Sequence, residues 1–345
     1  MNIEANVNMR RRRMTTGLGL GAVLAAGSYS VLNSKPQLFW RDRALQAFGT
    51  TVWLRAGHDD LSALNAGLDS AIAALQHVQA QMSLFDTSSA VSVLNRTGLL
   101  RDPDPHLVAV LALAQQVALR SNGAFDVTVQ PLWELWHSAT QQKRLPSQAE
   151  LLRARQLVNW QHLSVSPDSI RLAVPGMGIT LNGIAQGYAA DLARDQLAAH
   201  GVEHALLDTG EWASLGASPI GTPWALGVAD PHRDQAVVAN LVLAASNSAR
   251  SVATSADNNT PFTADHRFHH VFDPATGSSP PDISQVTVLA PSCALADALT
   301  KVFFVNCKRG AGFNEQTAVL ATEWAVDVLL IDKQGVVFTT PGIKV

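Results

Sequence analysis

The order of apolar patterns along the chain is the feature that most constrains its fold. Residues 59–82 repeat leucine and other apolar side chains every three or four positions, which predicts a long amphipathic helix. Further helices are predicted at 107–120, 183–200 and 294–305, and strands at 49–54, 205–207, 225–228, 237–243, 267–272 and 286–289, with a closing hairpin at 326–331 and 336–339. Since helices and strands mix without strict alternation, we expect an α+β fold of mixed sheets with packed helices.

Composition sets the size and class of the protein. The 345 residues are 47% hydrophobic, which is enough for one large domain or two closely packed lobes. The net charge is −3 and the body carries no basic stripe, so a nucleic-acid partner is not expected. Only Cys293 and Cys307 are present, which excludes a disulfide framework or a cysteine-rich metal site. One disulfide is possible, but two buried thiols are the favoured interpretation.

The N-terminus has the pattern of an export signal. Four arginines at positions 10–13 precede a short apolar run rich in glycine and alanine at 14–27. The run is shorter than the roughly 20 residues of a spanning helix, and its paired arginines indicate the twin-arginine route. A disordered basic tail is the alternative. We expect a signal at 1–33, a linker at 34–43, and one domain at 44–345 that is periplasmic or otherwise exported, without a stable membrane span after signal removal. No cysteine lies near the expected cleavage point, which argues against a lipid anchor.

A histidine pair lies directly before a tight turn in residues 269–277. Pro274 and Gly277 define the turn, and a titratable group at its rim suits acid–base or phosphate chemistry. Neighbouring side chains of a strand point to opposite faces, so only one of His269 and His270 can face a site. A hairpin with two surface histidines is the alternative.

Two glycines open the helix predicted at 183–200. Asn182 is a good N-cap, and Gly183 and Gly187, one turn apart, leave backbone uncovered where N–H groups could bind a pyrophosphate. Close packing against another element is the alternative use of such a pair.

A carboxylate and a lysine lie four residues apart on the last predicted apolar helix. Asp297 and Lys301, with Thr300 between them, could form an ordinary i,i+4 ion pair. Because their neighbours are mostly apolar, a functional or tightly paired carboxylate is expected instead.

Three other segments allow two interpretations each. Phe85, after the long helix, could stack on a ring or belong to the core. Asp126, isolated in an apolar run, could have a role in a site or cap a turn. The hydroxyls of 251–257 could border a site or form a turn.

Taken together and in this order, these segments resemble the ApbE family of FAD:protein FMN transferases. The resemblance covers roughly residues 44–340. The matching motifs are the aromatic-containing segment at 82–95, Gly-Ala-Phe-Asp-x-Thr-Val-x-Pro-Leu at 123–132, Gly-Ile-Ala-x-Gly-Tyr-Ala at 183–189, Ser-Val-Ala-Thr-Ser at 251–255, His-x-x-Asp-Pro-x-Thr-Gly at 270–277, and Ala-Asp-Ala-Leu at 296–299.

The resemblance implies chemistry on FAD, bound in a cleft between two lobes. Family members use Mg²⁺ and move FMN from FAD onto a threonine of a partner flavoprotein, releasing AMP, and some hydrolyse FAD to FMN and AMP instead. By resemblance, His270 and Asp297 are catalytic, and Asp297 and Thr300 bind metal. Contacts to the flavin nucleotide are implied for Met82, Phe85, Asp126, Asn182, Gly183, Gln186, Gly187, Asp191, Thr254, Ser255, His270 and Lys301.

The chain departs from the family pattern at five positions. Lys301 replaces the usual metal-binding threonine or serine, Phe85 a tyrosine, Gln186 a lysine, Ala90 a glutamate and Ala256 a glycine. A protonated lysine cannot ligate a metal, so weak or absent magnesium binding is expected. Transferase activity is the first hypothesis, with an FAD pyrophosphatase and a non-catalytic FAD-binding protein as alternatives.

Overall fold

A computed structural model describes residues 37–243, 251–310 and 312–343. Within these residues the α-helices are α1 (Leu61–Met82), α2 (Ala90–Thr97), α3 (Pro105–Arg120), α4 (Gln130–Gln141), α5 (Gln148–Arg155), α6 (Ala185–Ala199), α7 (Cys293–Asn306) and α8 (Phe313–Trp324). The strands are β1 (Phe39–Ala47), β2 (Thr50–His58), β3 (Leu99–Arg101), β4 (Leu163–Val165), β5 (Ser169–Leu172), β6 (His204–Asp208), β7 (Trp212–Leu215), β8 (Trp224–Ala229), β9 (Val237–Leu243), β10 (Ser251–Ala256), β11 (Ile283–Ala290), β12 (Asp327–Asp332) and β13 (Val337–Thr339).

One large antiparallel sheet organises the fold. Its order is β1-β2-β6-β7-β10-β11-β12-β13, and a three-stranded sheet (β3-β5-β4) and the pair β8-β9 stand apart from it. Helices lie between the strands in sequence without regular alternation, which confirms the predicted α+β class.

The large sheet is covered on both faces. Helices α1, α6 and α7 pack against one face, where α7 contacts β10 and β11. On the other face, Trp224 and Leu241 of the β8-β9 pair pack with Val252, Leu289 and Leu329 of the sheet. All eight residues of β11 are therefore buried, as expected for a strand inside a three-layer arrangement.

Helix α7 is fixed in place by α6. A Cβ atom added at Gly187 would lie 2.3 Å from the carbonyl oxygen of Cys293, so only glycine allows this approach of the two helices. The carboxylate of Asp191 accepts hydrogen bonds from the backbone N–H groups of Cys293 and Ala294, both at 2.9 Å, and from the hydroxyl of Ser292 at 2.8 Å. Asp191 thus caps the N-terminus of the helix that carries Asp297 and Lys301.

Several predicted boundaries are wrong. Helix α6 begins at Ala185 with Ile184 at its N-cap, so Asn182 does not cap it. Residues 267–272 form no strand; the segment contributes only the isolated bridge between His269 and Pro261. Helix α4 has no counterpart among the predicted elements; it forms because Leu132, Trp136 and Ala139 bury one of its faces.

The first strand begins earlier than the sequence predicted. Strand β1 begins at Phe39, inside the segment expected to be a linker, because its nine residues pair with β2. The predicted export signal at 1–33 lies outside the described residues.

Cys293 and Cys307 are both buried free thiols, as predicted. Among the described helices, none combines the length and apolar character needed to cross a membrane.

Candidate active site

A pocket of about 270 Å³ lies where the helix side of the large sheet meets the loops after α3, before α6 and before β11. Its walls come from segments distant in sequence: residues 124–133, 180–186 and 210–211, strand β10, residues 270–274 and helix α7. Nine of the residues assigned to a site from the sequence line this pocket, namely Asp126, Asn182, Gly183, Gln186, Thr254, Ser255, His270, Asp297 and Lys301.

His270, and not His269, lies on the pocket lining. The backbone N–H of His270 donates to the carbonyl of Thr260 at 3.1 Å, which ties this irregular segment to the neighbouring loop. His269 is fully buried, and desolvation together with the nearby His270 and Lys333 lowers its pKa to about 2. His269 therefore stays neutral in the folded protein, while His270 is the imidazole that a ligand can reach.

The turn after the histidines is held rigidly. The N–H of Gly277 donates to the carbonyl of Asp273 at 2.8 Å, and Gly277 has a φ of 73°, which favours glycine. The indole N–H of Trp136 donates to the carbonyl of Gly277 at 3.0 Å. Pro274, inside this turn, borders the pocket next to His270.

Asp297 and Lys301 form an ion pair on the pocket wall. The Lys301 Nζ lies 2.5 Å from Asp297 Oδ1 and 3.2 Å from the Asp297 carbonyl oxygen. Asp297 is buried, whereas about 17% of the Lys301 side chain is exposed. The lysine stem crosses Gly183, where an added Cβ would lie only 2.9 Å from Lys301 Cε.

This arrangement does not fit a magnesium ion. Magnesium needs several hard oxygen ligands in a near-octahedral set. Of the two carboxylate oxygens of Asp297, Oδ1 already accepts from an ammonium, so that Oδ2 is left as the one oxygen without a hydrogen-bond partner in the described part of the chain. The hydroxyl of the fully buried Thr300 is already engaged, since it donates to the Asp297 carbonyl at 2.7 Å and lies 2.8 Å from Ser255 Oγ.

Strand β10 contributes a polar edge to the pocket. The N–H of Thr254 donates to Glu211 Oε2 at 2.9 Å, and the hydroxyl of Thr254 lies 2.9 Å from that of Thr287. Glu211 lines the pocket and was not predicted from the sequence, because it sits in a short loop between β6 and β7 without a recognisable motif.

Asp126 combines a place on the lining with a capping role. Its Oδ1 accepts from the N–H and hydroxyl of Thr128, at 2.7 and 2.6 Å, and its Oδ2 accepts from the N–H of Trp160 at 2.9 Å. Burial raises the pKa of this carboxyl group, against the effect of those hydrogen bonds. Its main structural task is to hold residues 126–129 against Trp160.

Gln186 closes the pocket near β6. Its side-chain amide donates to the carbonyl of Thr209 at 2.9 Å. Gly210 faces it with a φ of 98°, and a Cβ there would lie 2.6 Å from Gln186 Nε2. The amide therefore fixes the turn that presents Glu211.

Five predicted site residues do not line the pocket. Met82 is buried in the main core, Gly187 and Asp191 serve the contact between α6 and α7, and Thr300 is fully buried. Phe85 is 82% exposed, and its ring lies beside Gly49, the neighbour of the pocket-lining Thr50. The two glycines of the 183–187 segment therefore have different roles: Gly183 borders the pocket, and Gly187 allows α6 to pack closely on α7.

A second cluster of ligand-type side chains lies apart from the pocket lining. The ligand atoms of His232, Asp257 and His266 are within 4.8 Å of one another. The ammonium of Lys333 lies 2.7 Å from Asp257 Oδ2 and so already neutralises this buried carboxylate. The cluster is explained as a buried ion pair flanked by two histidines.

Sequence comparison relates the chain to known transferases. The ApbE family profile matches residues 48–321. The FAD:protein FMN transferase of Vibrio cholerae serotype O1 is 29% identical over 256 residues, covering 71% of this chain and 75% of that protein. The FAD:protein FMN transferase of Treponema pallidum is 29% identical over 300 residues, covering 81% of each chain.

Solved structures show the same fold. The ApbE protein from Thermotoga maritima superposes with a TM-score of 0.78 at 25% identity, over 88% of this chain and 97% of that chain. The apo flavinyl transferase ApbE from Pseudomonas stutzeri gives a TM-score of 0.71 at 26% identity, over 89% and 97% of the two chains. With a family profile that spans most of its length and these structural relatives, the chain belongs to the ApbE family.

Proposed function

We propose that this protein is an exported FAD:protein FMN transferase that moves FMN from FAD onto a threonine of a partner flavoprotein and releases AMP. The observation that carries the proposal is the convergence of His270, the Asp297–Lys301 pair and the loop before α6 on one pocket. The proposal is also supported by the similarity to relatives described as FAD:protein FMN transferases, which extends over 75% and 81% of their length.

The reaction is a phosphoryl-type transfer. The threonine oxygen attacks the phosphorus of the FMN half, the bond from that phosphorus to the bridging oxygen breaks, and AMP leaves with the bridging oxygen. Such a reaction depends on positioning and on neutralisation of phosphate charge more than on covalent help from the protein. The pocket supplies both a basic side chain and a cation to that end.

We assign to His270 the role of general base, which accepts the hydroxyl proton of the attacking threonine. Its ring lies on the pocket lining, and its backbone is held by Thr260 and by the rigid turn at Pro274. A neutral imidazole can accept the hydroxyl proton as the new bond forms. The buried neighbour His269 accepts a hydrogen bond from the backbone N–H of Val271 through its Nδ1 and does not belong to the pocket lining.

Polar groups beside the loop before α6 would hold the nucleotide. Asn182 and Gly183 border the pocket, and neither is covered by a capping contact to α6. Thr254 and Ser255 of β10 also belong to the lining of this pocket. These groups are suited to hydrogen bonds with phosphate and sugar oxygens.

The test is a transfer assay with the purified protein, FAD and a flavoprotein acceptor that presents a threonine. Mass spectrometry of the acceptor reports covalent FMN, and chromatography reports AMP. A modified threonine with an equal amount of AMP supports the transferase. Release of AMP and FMN without an acceptor would identify an FAD pyrophosphatase, and tight FAD binding without AMP would identify a non-catalytic flavin-binding protein.

A further inference from the structure

The described lining of the pocket carries one ammonium group. Among the described residues that line it, Lys301 is the only lysine or arginine, while three carboxylates, Asp126, Glu211 and Asp297, face the same space. A dinucleotide brings two further negative charges on its diphosphate. Without a cation at this point, those charges would lie in a low-dielectric site beside like charges, which is unfavourable.

The ammonium of Lys301 has capacity left for a ligand. An ammonium carries three hydrogens. Within the described part of the chain, it donates to two oxygens, both of Asp297. The third hydrogen has no partner there, and the side chain reaches the pocket surface. The lysine is therefore held in place by Asp297 and still able to donate.

The backbone at Gly183 leaves room for the Lys301 side chain. Gly183 leaves the space that the stem occupies, since an added Cβ would lie 2.9 Å from Cε and 3.4 Å from Nζ. The same ammonium occupies Asp297 Oδ1, one of the two carboxylate oxygens that a divalent cation could bind. A protonated lysine and a metal ion therefore compete for one carboxylate.

We propose that the Lys301 ammonium takes the place of a divalent cation in this protein and binds the diphosphate of FAD directly, so that the nucleotide binds and reacts without metal. This inference rests on the proposed function, because it names the group that neutralises the phosphate charge in that reaction. Asp297 positions the ammonium through its Oδ1 and carbonyl oxygens.

Calorimetry of FAD binding, in EDTA and in excess magnesium, tests the proposal. The native protein is expected to bind FAD equally well in both buffers. Lys301→Met keeps a long stem over Gly183 but removes the charge, so in EDTA its affinity should fall by about tenfold to a hundredfold, the worth of a charge-assisted hydrogen bond. Lys308→Met, the same change at an exposed position outside the pocket lining, should leave the affinity unchanged.

Lys301→Thr adds the opposite control. A hydroxyl frees Asp297 and supplies a hard oxygen ligand, so FAD binding by this variant should be weak in EDTA and recover in magnesium. An increase of tenfold or more in the FAD affinity of the native protein on adding magnesium would overturn the proposal.

Binding of Mn²⁺ alone, followed by electron paramagnetic resonance, separates this inference from the proposed function. Lys301→Thr should bind one more equivalent of Mn²⁺ than the native protein, and any binding at the His232–Asp257–His266 cluster cancels in that difference. Native binding that disappears in Asp297→Asn would show that the lysine does not exclude metal. If FAD bound to none of these proteins in either buffer, the proposed function would fail, while the Mn²⁺ comparison would still decide whether Lys301 replaces a metal.

Discussion

The carboxylate of Asp191 on α6 accepts the backbone N–H of Cys293, the first residue of α7, at 2.9 Å. Two further hydrogen bonds, from Ser292 and Ala294, and an ion pair with Arg194 at 3.0 Å complete its surroundings. Asp191 therefore acts on the site through α7, since it sets the start of the helix on which Asp297 and Lys301 lie.

Asp191→Ala should destabilise the protein by about 3 kcal/mol, because it removes a charged cap whose partners are largely buried. Denaturation in urea measures the change. Asp195→Ala is the matched control, since Asp195 lies on the same helix and also pairs with Arg194, at 3.4 Å, but is mostly exposed. The control should cost less than about 1 kcal/mol. Equal losses in the two variants would contradict the capping role.

The glycines of α6 and the loop before it should respond differently to alanine. In Gly187→Ala the new Cβ meets the backbone of Cys293 at 2.3 Å, so α6 and α7 must separate, and we expect a loss of more than about 2 kcal/mol in unfolding free energy. In Gly183→Ala the new Cβ meets only the flexible Lys301 stem at 2.9 Å. That variant should keep most of its stability but weaken FAD binding. Thermal unfolding and calorimetry of both variants distinguish these outcomes.

The bounds of helix α1 and of strand β9 were predicted closely, because the apolar periodicity of both segments is strong. The helix predicted at 59–82 is α1, two residues shorter at its start, because Asp60 caps it. The strand predicted at 237–243 is β9, since alternate residues of that strand are buried against the large sheet. In both elements the pattern that buries one face is local, and a local pattern can be read from the chain alone.

The site was harder to predict where contacts join distant segments. The apolar run at 267–272 resembles a strand, but its backbone pairs with a loop: Phe262 N–H donates to Phe268 O, and His270 N–H to Thr260 O. Glu211 reaches Thr254 only through the pairing of β7 with β10. Thr300 and Lys301 are neighbours in sequence, yet helix geometry sends one hydroxyl into the core and one ammonium to the pocket.

Burial of His269 should make the stability of the protein depend on pH. The pKa of His269 is lowered from 6.5 to about 2 in the folded state, so only the unfolded chain takes up its proton below pH 6.5. This contribution to stability is complete above that pH and is lost as the pH falls, by up to about 1.4 kcal/mol per pH unit.

Urea denaturation between pH 7 and pH 4.5 should therefore give a shallower loss of stability in His269→Gln than in the native protein. His162→Gln, at an exposed position, serves as the control and should follow the native curve. If the unfolding free energy of His269→Gln and of the native protein fell in parallel with pH, burial of this imidazole would not be the cause of the loss of stability in acid.

Replacing His270 should affect turnover more than folding. His270→Gln removes the base assigned to the threonine proton, and we expect the rate of FMN transfer to fall about a hundredfold or more. His269→Gln, measured per folded molecule, should retain most of the rate. Transfer that survives in His270→Gln and disappears in His269→Gln would reverse the assignment of the two histidines.

The N-terminal arginines should decide where the mature protein is found. The proposed export route reads arginine identity, so replacing Arg10, Arg11, Arg12 and Arg13 with lysine should keep the positive charge but retain the protein inside the cell. Cell fractionation of the native and substituted proteins, each carrying the same C-terminal tag, measures the distribution. Unchanged export of the lysine variant would exclude the twin-arginine route, and loss of export only after deletion of the apolar run at 14–27 would indicate a signal that reads charge and hydrophobicity instead.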